Sequence, residues 1–170
     1  VEDFKMAVSV HAVADYFIRK VDREAGDDMT HFKLQKLLYY AQAWYLAMHD
    51  EPMFQAQFEG WVHGPVCRDV YERFRHVARN PIPPEDATSD PVELDDNAHA
   101  FLDEVWDSYG QYTAPKLERM THEEDPWLNA RMGLAADEEG HNLLDEDCMR
   151  HYYRARMHAR KRIRVIHPSQ

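Results

Sequence analysis

The side chains in this 170-residue chain that could do chemistry are few and poorly spaced for it. Cys67 falls in the first turn of a predicted helix, where the dipole lowers a thiol pKa, and His63 four positions earlier is a candidate base. The pair lacks a third partner and an oxyanion device. Eleven histidines raise the question of metal, yet none forms H-E-x-x-H, H-x-H or a cysteine-histidine set. His122-Glu123-Glu124 comes closest, but neighbours within one helical turn point in different directions and would not chelate one ion unaided. No phosphate-cradling glycine loop or nucleophile elbow is present. The expectation is therefore no catalytic residue, no cofactor and no metal. A thiol or metal hydrolase built on Cys67 or His122 ranks last among the readings.

Contact chemistry is better represented. Arg68, Arg73 and Arg75 are expected on the outer face of a third helix, and Tyr153, Arg154 and Arg156 near an arginine-rich end. Exposed aromatics and arginines carry much of the energy at interfaces, so these six are the candidate partner-contact residues. The plainer account of them is a solvated helix face and a helix end meeting its dipole. Acidic residues outnumber basic ones, 31 to 20, for a net charge of −11. Repulsion from phosphates makes nucleic acid a poor partner, and an electropositive protein suits the chain better. The basic end keeps open a regulator that represses its own operon, although no helix-turn-helix module is evident.

The elements that must position these residues are read from periodicity. Ser9 caps a helix whose stripe is Val10, Val13, Ala14, Phe17, Ile18 and Val21, ending near Gly26. Thr30 caps a second, with Leu34, Leu37, Leu38, Ala41, Tyr45 and Met48 at helical intervals. Tyr39, Tyr40 and Trp44 widen that stripe, which makes this helix central. Residues 54–62 alternate as a short strand, and Gly64-Pro65 is read as ending it and opening the third helix, with Val66, Val70, Phe74 and Val77 inward. The prolines of 80–91 predict a loop inside the domain. A fourth helix begins after Asp95-Asp96 and stops at Gly110, and Thr113 starts a short fifth. Thr121 and Glu124 have capping-box spacing, and Asp125 precedes Pro126 as a second cap, so two short helices meet here. Trp127 anchors the second of them, with Leu128 and Met132 beside it. The last helix starts near Asp145 with Met149, Tyr152 and Tyr153 inward. Ile163-Arg-Val-Ile166 could pair with the strand at 54–62.

These patterns predict a mainly α single-domain helical bundle with a small antiparallel β element over residues 6–165, residues 1–5 being an extension ahead of it. No apolar run approaches the roughly 20 residues of a bilayer helix, and no signal pattern opens the sequence. Cys67 and Cys148 form no C-x-x-C pair, so two free thiols in a reduced, cytoplasmic setting are expected.

Three separated motifs carry a resemblance. Leu34-Gln-Lys-Leu-Leu-Tyr-Tyr-Ala-Gln42, Trp61-Val-His-Gly-Pro-Val66 and His122-Glu-Glu-Asp-Pro-Trp127, in that order, resemble the Panacea domain, the SocA-like antitoxin family of bacterial and phage toxin-antitoxin systems. The resemblance spans roughly 10–153. It departs at Gly60, where the family pattern has alanine, and at the polar stretch 135–142, which looks like an added loop. It implies that Leu34, Lys36, Leu37, Tyr40, Trp61, Gly64, Pro65, Val66, His122, Pro126 and Trp127 build the fold core. It also implies a protein that binds and neutralises a cognate toxin, commonly encoded beside it. A proteolytic adaptor delivering the toxin to a Clp-type protease is the alternative mode.

Overall fold

Helix α2 (His31–His49) is apolar around most of its circumference, and the other elements enclose it. The computed structural model describes residues 8–166, with side chains through 159; the expected extension at 1–5 lies outside the described residues. Thr30 Oγ1 accepts the Lys33 N–H at 3.2 Å to start α2. Asp50, left-handed at φ 61°, ends it with its N–H on Leu46 O at 3.0 Å. Leu34, Leu37, Leu38, Tyr39, Tyr40 and Ala41 are fully buried. Met48, expected inward, is 49% exposed.

Helix α1 (Val10–Lys20) packs against α2 with its predicted stripe buried and with Ser9 accepting the His11 N–H. It stops at Lys20 rather than near Gly26. Val21 is extended, and residues 22–27 close a turn of their own through Gly26 N–H to Arg23 O and Asp27 N–H to Asp22 O.

The β element differs from expectation in an informative way. Strand β1 (Phe58–Trp61) pairs antiparallel with β2 (Gly64–Cys67), Phe58 opposite Cys67 and Trp61 opposite Gly64. Gly64-Pro65 therefore does not open a helix. Gly64, at φ +110°, turns the chain back on itself, Pro65 sits inside β2, and helix α3 (Arg68–Phe74) starts three residues late. Proline is tolerated there because its partner Gly60 turns its own N–H the other way, to Asn142 O at 2.8 Å. Leu144 N–H to Phe58 O at 2.8 Å and a bridge between Glu59 and Leu143 lay residues 142–144 along the far edge of β1. Residues 163–166, a candidate partner for the strand by their alternation, instead form the last turn of helix α7 (Glu146–Ile166).

The proline-rich loop holds two short 3₁₀ turns, at 84–86 and 91–93. It is fastened to the core by Ile82, fully buried with its N–H on Met29 O, and by Asp15, which accepts the Ser89 N–H at 2.8 Å. Helix α4 (Asp96–Tyr109) is capped by Asp95 and buries Ala98, Phe101, Leu102, Val105 and Tyr109 as its period predicts. Helices α5 (Ala114–His122) and α6 (Asp125–Ala130) form a tight corner, and α7 then lies along α2. One hydrophobic cluster runs from α1 to α7. Among the described residues no helix is long and apolar enough to cross a membrane.

Candidate functional site

The three motifs, far apart in sequence, meet at one corner of the molecule. The Lys36 stem crosses directly over Gly64: a Cβ there would lie 2.6 Å from Lys36 Cε and 3.0 Å from Thr121 Oγ1. Space and positive φ both demand glycine at that position. Gly64→Ala is therefore expected to cost about 1–3 kcal/mol, read as a lowered urea midpoint with unchanged slope. Trp127 Nε1 donates to Trp61 O at 2.8 Å, tying α6 to the hairpin. The His122 ring stacks on Trp127 at 4.0 Å and 12°. His63, in the hairpin turn, pairs with Glu118 of α5 at 3.0 Å.

A pocket of about 610 Å³ opens beside this corner. Its walls are aromatic: Phe32, Trp61 and Tyr71, with Trp61 and Tyr71 edge-to-face at 4.8 Å. Its most buried lining residues are Gln35 and Lys36, each 2% exposed, and His31, 4% exposed. Lys36 makes no hydrogen bond or ion pair with the described residues. Burial lowers its pKa to about 8, the Glu118 carboxylate only partly opposing the drop. His31 Nδ1 is buried without a partner, and burial followed by the Lys36 charge lowers that imidazole too. Gln35, one position before Lys36, is fully used in fixing β2: its amide donates to Cys67 O at 3.1 Å and accepts the Cys67 N–H at 2.8 Å. Asp137 and Glu139 reach the pocket from the loop before α7.

The third motif holds a buried acid rather than a cap. Thr121 Oγ1 donates back to Glu118 O, and the Glu124 side chain makes no capping bond to α6. Glu124 is instead 5% exposed and accepts from Tyr40 at 2.8 Å, from Tyr39 at 3.3 Å and from Tyr153. Three phenols outcompete a single backbone N–H as donors for a buried carboxylate. Burial raises the Glu124 carboxyl above its ordinary value while the phenols hold it back. His122 and Glu124 thus face different neighbours, a ring and a core, and do not converge on one ion.

The model of the SocA-like antitoxin, Panacea domain family matches residues 34–128, a span that opens in α2, takes in the hairpin and closes just after Trp127. The chain belongs to this family. Membership supports an antitoxin role and implies a toxin partner. Neither the curated proteins nor the solved structures contain a match to the chain. Within this Panacea protein, α1 and α7 lie outside the matched span, so Tyr153, which completes the Glu124 cluster, is supplied from beyond it.

The remaining predicted site residues divide sharply. In the Panacea chain Cys67 is the residue before α3, buried, and burial raises its thiol rather than leaving it activated. Arg73, expected on an outer face, points inward to Asp15 at 2.6 Å and to Asp86 O at 2.7 Å, because an otherwise unpaired buried carboxylate draws it there. Tyr153 is fully buried and is no surface contact. Arg68 and Arg75 are exposed, the first bidentate on Glu59 and 5.5 Å over the Trp61 ring, the second on Glu72. Arg154 binds Ala47 O and Asp50, and Arg156 binds the Tyr152 hydroxyl.

Leu128 and Met132, expected to pack beside Trp127, are 44% and 77% exposed. Their place is taken by Arg131, which sequence reasoning missed. Its buried guanidinium lies 5.2 Å over Trp127 and donates to Gly60 O at 2.9 Å, to Ala135 O at 3.0 Å and to Glu138 O. It stitches the 135–142 loop to β1. A Cβ on Gly60 would crowd its Cγ at 3.3 Å and Ala130 Cβ at 3.1 Å.

Proposed function

We propose that this Panacea protein neutralises a cognate protein toxin, encoded beside it, by forming a direct one-to-one complex. The observation that carries the reading is the family match over a span whose three motifs converge on a single corner. The motif residues are spent on building that corner, with no nucleophile, base and third partner brought together there. The net charge of −11 suits a basic partner and speeds its encounter. Arg68 and Arg75, with Arg154 and Arg156 on α7, are the candidate contacts, and Arg73 and Tyr153 leave the list. Two free thiols, Cys67 and Cys148, accord with work in the cytoplasm.

The test is co-expression with the product of the adjacent gene, scored by growth rescue and co-purification, and then a one-to-one mixture of the pure proteins. Loss of toxin activity in that mixture is the expected result, and a fully active toxin overturns the reading. Toxin decay that requires both this protein and a Clp-type protease would replace neutralisation by delivery. Salt-sensitive DNA binding that disappears on removing the residues after Arg154 would mark an operon regulator instead.

A further inference from the structure

Lys36 is a cation without a counterion. The nearest acid to influence it, Glu118, already holds His63 at 3.0 Å and stands 3.9 Å from His122. Glu139 at the pocket mouth pairs with His141 at 3.2 Å. His31 lines the same pocket, its Nδ1 buried without a partner while the ring bonds the Ala78 backbone. An ammonium with no acceptor in an aromatic-walled pocket defines a ligand by what it lacks: an acceptor bearing one negative charge. The two carboxylates Asp137 and Glu139 lining the same pocket weigh against a doubly charged phosphate, which they would repel. The rings of Phe32, Trp61 and Tyr71 call for a flat apolar body behind the charge.

We propose that the pocket over Lys36 and His31 takes a single carboxylate carried on an aromatic body, its charge on the Lys36 ammonium and its ring against Trp61 and Tyr71. The carboxylate comes either from an exposed acidic or C-terminal residue of the toxin, an arm that rests on the neutralisation reading, or from a free small acid, an arm that does not.

Phenylacetate titrated into the full-length chain, monitored by tryptophan fluorescence and by amide shifts, is the probe. Saturable binding in about the millimolar range is expected at pH 7. Phenylacetamide, which lacks the charge, and phenylphosphonate, which can carry two, should bind at least about tenfold more weakly. Lys36→Met should lose about tenfold or more while keeping a cooperative melt. Should that variant fail to fold, the wild type decides by itself: raising the pH from 7 to 9.5 removes the Lys36 proton and should weaken phenylacetate by about fivefold or more. The groups facing Lys36 are His31 on its own helix, Glu118 and His122 on α5, His63 in the hairpin turn, Tyr71 on α3, and Asp137, Glu139 and His141 in the loop.

No saturation up to about 20 mM, or affinity unchanged by pH and by Lys36→Met, overturns the proposal. Competition between phenylacetate and the toxin assigns the carboxylate to the toxin, and toxin binding indifferent to phenylacetate assigns it to a free acid. A toxin that does not associate at all sinks the neutralisation reading and leaves the phenylacetate result standing.

Discussion

Lys36→Met is expected to make the protein more stable at pH 7, by about 3 kcal/mol. The folded state holds this ammonium with its pKa lowered from 10.5 to about 8. At neutral pH the charge is therefore carried at a cost that the unfolded chain does not bear. Methionine has a similar length and no charge to desolvate, so it fills the path over Gly64 without that cost. In a chain of this size the gain corresponds to a rise of roughly 6–12 °C in melting temperature. The lowered value also sets the sign of the pH dependence. Between about 8 and 10.5 the unfolded chain keeps a proton that the folded one has released, so wild-type stability climbs relative to the variant across this window. The penalty is complete below about 8 and gone above 10.5. Urea midpoints of both proteins at pH 7, 8.5 and 9.5 should converge as the pH rises. A variant weaker than wild type at pH 7 would show the ammonium to be paired and would remove the reason to look for its ligand. A side chain that costs stability where it stands is a candidate for a role beyond the fold.

The opposite effect is expected at Glu124. Glu124→Ala removes the acceptor of three buried phenols, of which Tyr39 and Tyr153, 3.4 Å apart, can turn to one another. Tyr40 is stacked on Tyr109 at 4.0 Å. The loss should be about 3–5 kcal/mol, or some 10 °C in melting temperature, because buried hydroxyls without acceptors keep their full desolvation cost. Glu124→Gln retains one carbonyl oxygen and should lose about 1 kcal/mol. Since burial raises the Glu124 carboxyl, its contribution is whole below the unfolded value near 4.3 and diminishes as the pH climbs through the higher folded one. Wild type should therefore lead the glutamine variant by more at pH 4.5 than at pH 8. An alanine variant that melts with the wild type would mean the phenols have other acceptors.

Periodicity was most reliable where a whole face is buried. The stripes of α1 and α4 are buried as their spacing predicts, and the tyrosines of α2 are enclosed because an all-round apolar helix has nowhere to go but the centre. The three motifs that carry the resemblance meet as the walls of one junction. What escaped sequence reasoning were the polar groups whose partners arrive from distant segments. Nothing near Arg73 or Arg131 announces that one will bind a buried aspartate 58 positions away and the other a set of carbonyls. Glu124 was misread because its spacing from Thr121 satisfies a local rule, and the donors that override it come from two other helices. Gly64-Pro65 failed for a related reason: the pair permits a helix start as readily as a hairpin, and the choice is made by Asn142, which claims the Gly60 N–H.

The far edge of β1 is closed only when Leu144 reaches Phe58, and the Glu124 carboxylate is fully enclosed only when Tyr153 arrives beside Tyr39 and Tyr40. On the ribosome those partners emerge last. At ordinary elongation rates the interval between Tyr40 and Tyr153 lasts roughly 5–20 seconds, and long-range pairings of this kind form late because their loops must close first. During that interval the face of α2 that receives α7 stands uncovered, and the docking of α7 closes it.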